Sequence, residues 1–186
     1  MHYLIFGLIL WVTVHLVPSV LPNSRHLCIQ RLGENLYKSL FSLLIVTSIV
    51  LIVIGWRNTS VELFYQPPAW GRQACFILMG LAIPLFISGR KPNTIRCVVR
   101  HPQLFSILVI SAAHLLANGD NRSVILFLGL SSWSVLEMFF ISRREGPWEK
   151  PSAFPAKANI MVVIISAVVY SVLLFVHQYL SGIALI

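Results

Sequence analysis

Two histidines of this chain fall inside apolar stretches, His15 in the first and His114 in a later one that opens on Arg100-His101-Pro102-Gln103. An ionisable group in hydrocarbon costs roughly 3 kcal/mol or more unless it is paired or put to use. Two such imidazoles point to metal or haem ligation. His15 shares a helical face with Pro18, Ser19 and Pro22, at offsets of 3, 4 and 7 residues. Pro18 cannot donate to the carbonyl of Val14, so the helix bends there and leaves an acceptor beside His15. Gln103, Ser111, His114 and Asn118 keep to one side of a second helix. A polar stripe of this kind faces the bundle interior or a water pocket. Ser111 or Asn118 could accept the ring N–H of His114 and fix its tautomer for ligation. The plainer readings are a histidine hydrogen-bonded across helices for His15 and a polar seam that glues helices together for His114.

Depth is consistent with a shared centre. His114 lies ~18 Å from the end of its helix at Pro102, and His15 ~10–15 Å from the same side of the membrane, at 1.5 Å per residue. Helix tilt is enough to absorb the difference; axial haem ligation would require the two ring nitrogens about 4 Å apart with iron between them, which the sequence allows without demanding it. Asn118-Gly119-Asp120-Asn121-Arg122 reads as a tight turn in which Asn and Gly accept positive φ. Facing positions of the resulting helical hairpin then sum to about 240. Glu137 comes level with Gln103, with Arg100, His101 or Gln103 as its expected partner. Together with Arg143 and Arg144 these residues form a mouth for an anion or cofactor, or simply an ion pair that lets Glu137 stay in the membrane. His2, His26 and His177 read as solvated or interfacial. Phe64-Tyr65-Gln66-Pro67-Pro68-Ala69-Trp70 reads as a rigid cap over one end of the bundle.

The elements that must hold these residues are apolar helices. Only 11% of the 186 residues are charged and 57% are apolar, with mean hydropathy +0.81, against about 25% charged in a soluble domain. The apolar blocks, near 2–22, 36–56, 73–89, 102–118, 122–142 and 158–181, are each close to the length that crosses a ~30 Å hydrocarbon layer. The expectation is an all-α, polytopic membrane bundle of about six helices, residues 1–186 forming one domain. The first, third and fifth loops hold 11 Lys and Arg and the second and fourth hold 3. That split places the odd loops in the cytoplasm and both termini on the outer, periplasmic side of a bacterial inner membrane. The formal charge of +8 belongs to topology and anionic lipid, not nucleic acid. Cys28, Cys75 and Cys97 form no CxxC pair and read as thiols. The first apolar run lacks a basic leader and a cleavage motif, and reads as a retained span.

The chain resembles the NnrU family of integral membrane proteins along nearly its whole length. The resemblance rests on His15 with Pro18, Leu32-Gly33-Glu34-Asn35-Leu36-Tyr37-Lys38-Ser39-Leu40-Phe41-Ser42, Tyr65-Gln66-Pro67-Pro68-Ala69-Trp70, Arg100-His101-Pro102-Gln103-Leu104, Ala113-His114-Leu115-Leu116-Ala117-Asn118-Gly119-Asp120, Leu126-Phe127-Leu128-Gly129 and Arg143-Arg144. It implies a link to nitric-oxide and nitrite metabolism in denitrification. It also implies similarity to the plant and cyanobacterial 15-cis-ζ-carotene isomerase, which binds haem b. By that resemblance His15 and His114 are the haem ligands. Ser111 stands where the isomerase has a cysteine, which removes a possible thiolate. The implied ligands are a lipophilic polyene or a small gaseous molecule, and the implied activity, if any, is cis–trans isomerisation. A weaker resemblance, carried by Arg100-His101-Pro102, is to isoprenylcysteine-type methyltransferases with a cytoplasmic cofactor mouth built here from Arg100, His101, Glu137 and Arg144. The glycine those enzymes carry after this motif is missing. The other alternative is a non-catalytic membrane factor that assists assembly or regulation of a respiratory complex.

Overall fold

Proline and glycine set the first helix boundaries. In the computed structural model, which describes residues 1–90, 92–152 and 154–185, the chain forms α1 (His2–Val20), α2 (Pro22–Leu32), α3 (Glu34–Asn58), α4 (Gly71–Ser88), α5 (Pro102–Ala117), α6 (Asn121–Glu145) and α7 (Ala156–Ser181). A 3-10 turn at Thr94–Cys97 precedes α5. Leu21 and His101 each stand before a proline and share the same non-helical backbone, φ −122° and ψ 67°. The proline ring disfavours the helical region for the residue before it, and the proline itself then opens α2 or α5, where no N–H is needed. Gly33, at φ 79°, separates α2 from α3 in a conformation that side chains rarely adopt.

The architecture is an all-helical polytopic membrane bundle. Five helices, α1, α3, α4, α6 and α7, are long and apolar enough to cross a membrane. The remaining expected span, α5, is apolar but only 16 residues long, or ~24 Å. The segment that precedes α4 completes its far end. The Tyr65 hydroxyl donates to the carbonyls of Leu115 and, at 3.0 Å, Asn118, while the Phe64 and Tyr65 amides donate to the carbonyl of Gly119 at 2.7 and 3.0 Å. The orphan carbonyls of a helix C-terminus are thereby satisfied by protein, as irregular backbone at membrane depth requires. The expected cap is therefore a lid on the end of α5.

Two details of the sequence reading change. The first loop is itself a helix, α2; its basic residues lack apolar periodicity, and none of them is buried. The α5–α6 turn uses no positive φ, since among the described residues only Gly33, Gly146 and Gly182 have one. Gly119 is there because a Cβ would run into the carbonyl of Tyr65. Asp120 makes the turn by accepting the amides of Arg122 and Ser123, both at 3.1 Å, as the N-cap of α6.

The helices pack through small residues. A Cβ on Gly7 would meet the α3 backbone at 2.8 Å, one on Gly55 would strike the backbone of Leu4, and one on Gly129 the side chain of Leu8. Close backbone approach is how helices associate where lipid removes the hydrophobic drive. Ser48, Ser88, Ser106, Ser111, Ser123 and Ser134 are fully or almost fully buried, whereas Leu43, Val163 and Phe175 are at least 60% exposed. Leucine and valine thus face lipid, and serine lines the interior. α1 and α5 pack on α6, and α4 packs on α5 and α7. Both termini lie at the end of the bundle that holds Gly55 and Trp56. The described arginines and lysines of the odd connections gather at the opposite, basic end.

Candidate functional site

His15 and His114 have the same local chemistry. In each, Nδ1 lies 2.9 Å from the carbonyl four residues earlier, Trp11 for His15 and Ile110 for His114. A carbonyl partner requires Nδ1 to carry the proton, which leaves Nε2 with its lone pair, the form that binds a metal. The partner is backbone in both cases. Ser111 and Asn118 do not take that role: the Ser111 hydroxyl is buried without a partner among the described residues, and the Asn118 amide donates to the carbonyl of His114 at 3.0 Å.

The rings stand in different places. His114 stacks on Phe127, centroids 4.3 Å apart, whereas His15 packs edge-on to Trp133 at 5.0 Å. Both aromatic neighbours belong to α6, six residues and so about 9 Å of helix rise apart, with side chains that leave the helix in different directions. His15 lines a cavity at the basic end and His114 a separate one at the opposite end. In this arrangement the two imidazoles do not face each other.

The ring that does approach His114 is His177 of α7, with centroids 6.5 Å apart and planes at 26°. His177 has its Nδ1 at 3.0 Å from the carbonyl of Ile183 and 3.0 Å from the Ser181 hydroxyl, so its Nε2 is also free of the proton. The pair lines a cavity of about 490 Å³ with Phe127, Met79, Tyr170 and Arg72. Tyr170 is held by donating to the carbonyl of Phe76 at 3.0 Å. Level matching in the sequence could have found this pair. His114 lies three residues from the end of α5 and His177 four from the end of α7, and both helices end on the same side.

The basic end holds the larger cavity, about 1050 Å³. Two facing rows line it, Trp11 and His15 on α1 and Trp133 and Glu137 on α6. The Ser19 hydroxyl donates to Oε1 of Glu137, so the partner of Glu137 is on α1 and not among Arg100, His101 and Gln103. The hairpin register itself follows the expected sum, since Ser134 donates to the carbonyl of Leu104 at 2.6 Å and His114 meets Phe127. Arg100 donates to the carbonyl of Gly146 at 2.8 Å and lies 3.6 Å from Glu145. His101 Nε2 is 2.9 Å from the Ser142 hydroxyl. Burial lowers the His101 pKa below the ordinary imidazole value, Arg100 lowers it further, and Glu145 only partly opposes them. Gln103 lies against Gly89, and Arg144 pairs with Glu145 at 3.9 Å on the rim. Arg100, His101 and Pro102 thus fasten the α5 entrance to the end of α6 and leave Arg90 and Arg96 facing the cavity.

No group of three or more His, Cys, Asp or Glu among the described residues is arranged to hold a bare metal ion. No curated protein and no solved structure matches the chain. The family model described as NnrU protein matches residues 3–185, and the chain belongs to the NnrU family.

Proposed function

We propose that this multi-pass membrane protein binds haem b in the cavity between α5 and α7, where His114 and His177 would hold it, and that it serves a redox or nitric-oxide-linked role in a bacterial inner membrane. The observation that carries the reading is the spacing of the two rings. The 6.5 Å between the His114 and His177 ring centroids brings the two side chains to one cavity, and each ring commits Nδ1 to a carbonyl, which leaves Nε2 for a metal. The cavity falls in the 300–1000 Å³ range of cofactor sites, and Phe127, Met79 and Tyr170 supply apolar walls. Arg72 lines this cavity and makes no ion pair among the described residues, which places it to meet a carboxylate. When bound, haem would supply an iron that changes oxidation state and exchanges ligands. The chain's own part is to hold the imidazoles in one tautomer through the carbonyls of Ile110 and Ile183 and to keep water away from the apolar walls. The compartment is too small to take both a macrocycle and an extended polyene, which favours a redox or gas-ligand role over isomerisation.

Titration of the purified apoprotein with haemin tests the reading. The expected result is a Soret band that saturates at one haem per chain and weakens at least tenfold in affinity in Arg72→Ala or His177→Ala. A featureless titration, with the protein still folded by circular dichroism, contradicts it and leaves a cofactor-free membrane factor.

A further inference from the structure

The cavity at the basic end has a charged mouth that the haem reading does not use. Arg90 and Arg96 line it, and neither guanidinium makes an ion pair or hydrogen bond among the described residues. Arg90 is exposed and Arg96 half-buried, so a ligand can reach both. The carboxylates of the same lining do not neutralise them. Glu145 is shared between Arg100 at 3.6 Å and Arg144 at 3.9 Å, and Glu137 accepts the Ser19 hydroxyl. Among the described residues Glu149, exposed on the segment after α6, is left to oppose two arginines, and the mouth is positive on balance. Further in, the lining turns apolar, with Ile45 of α3, Phe86 of α4, Ile107 of α5 and Ile141 of α6. α3 packs chiefly on α1, and α4 on α5 and α7, so the chamber bridges two helices, α3 and α4, that have little packing on each other. Trp11, which also lines it, stands nine residues from the end of α1, so the chamber reaches about 14 Å inward from the basic edge.

We infer that this chamber holds an anionic phospholipid from the leaflet at the basic end, its phosphodiester at Arg90 and Arg96 and one acyl chain against Ile45, Ile107 and Ile141. Guanidinium forks match phosphate oxygens in pairs, and basic pockets between membrane helices take the head groups of anionic lipids. The acyl chain gives the apolar walls the dispersion contacts that a charged head group cannot. A volume of about 1050 Å³ stands at the upper limit of small-ligand sites and is far more than one inorganic anion fills. A zwitterionic lipid would bring its own cation to the two arginines, and a free phosphate would leave the apolar walls uncovered. Among the described residues this chamber shares no lining residue with the cavity of His114 and His177, so the inference does not depend on haem.

Native mass spectrometry of the purified full-length protein tests the inference. Protein in detergent is titrated with phosphatidylglycerol, with phosphatidylcholine of the same acyl chains, and with inorganic phosphate as competitor. The expected result is saturation at one phosphatidylglycerol per chain, at least tenfold tighter than phosphatidylcholine and not displaced by excess phosphate. The double variant Arg90→Gln, Arg96→Gln weakens phosphatidylglycerol binding tenfold or more, whereas Arg143→Gln, outside the lining, changes it less than twofold. Ile107→Trp fills the chamber, leaves both arginines in place and also weakens binding tenfold or more. Equal retention of the two lipids overturns the inference and leaves an unselective apolar cleft. Binding unchanged in Ile107→Trp overturns it and leaves a surface attraction of head groups to basic residues. Displacement by phosphate overturns the lipid and assigns the arginines to a free phosphate. Should Ile107→Trp fail to fold, Ile45→Trp obstructs the chamber from α3 and gives the same comparison.

Discussion

Glu137 shows how much one side chain in the membrane depends on a neighbour chosen by the fold. Its Oε1 receives the Ser19 hydroxyl from α1. A hydrogen bond to a charged group contributes about 1.5–3 kcal/mol, so Ser19→Ala is expected to destabilise the protein by that amount in reversible unfolding from mixed micelles. No change would mean that the contact contributes nothing. Ser111 is the opposite case, a buried hydroxyl without a partner among the described residues. Ser111→Ala is expected to leave the melting temperature unchanged or raise it, and a fall of several degrees would show a partner for this hydroxyl. The composition made Glu137, His15 and His114 legible, because a polar group in an apolar run stands out. Their partners were not legible. The Trp11 and Ile110 carbonyls are backbone, and Ser19 and His177 come from helices whose rotation the sequence does not specify. His177 also lies near a helix end, where an imidazole is ordinarily interfacial.

The helices and their ends carry the next level. Six apolar blocks were readable because length and hydropathy decide them. The helix α2 was hidden because its polar face gives no periodic signal. The short α5 was readable as a span, but its dependence on Tyr65 was not, since that pairing joins residues 50 positions apart. Tyr65→Phe removes the donor to two carbonyls and is expected to speed amide exchange over 114–121 by tenfold or more while α1 and α3 keep their protection. Uniform loss of protection would show a global effect instead. Asp120 gives a pH test at the same end. Burial pushes its carboxyl upward, but the Ser123 hydroxyl and amide and the Arg122 guanidinium outweigh it, and the group ends below the usual carboxylate range. The folded state therefore binds its proton less readily than the unfolded chain. Stability from this group is present above about pH 4 and is lost as pH falls through the depressed folded value. Asp120→Asn is expected to be less stable than wild type at pH 7, with the gap closing below about pH 4. A gap that stays constant with pH would contradict the carboxylate's role.

At the scale of the molecule, basic residues gather at one end and both termini at the other. Cys28 is exposed on α2, at the basic end. A membrane-impermeant maleimide is expected to label it in inverted vesicles and not in intact spheroplasts, and the reverse pattern would invert the topology. The bundle also separates its two chambers, one lined by Trp133 of α6 and the other by Phe127. The sequence could not reveal that separation, because helix depth alone brought His15 and His114 within a few ångströms of one level. Only the packing of α1 and α5 on different sides of α6 keeps them apart. The most direct test is the spectrum of the dithionite-reduced haem complex in three single variants. His15→Ala is expected to keep the sharp bands of a six-coordinate, bis-imidazole haem, while His114→Ala and His177→Ala lose them. Loss in His15→Ala with retention in His177→Ala would contradict the assignment of the ligand pair.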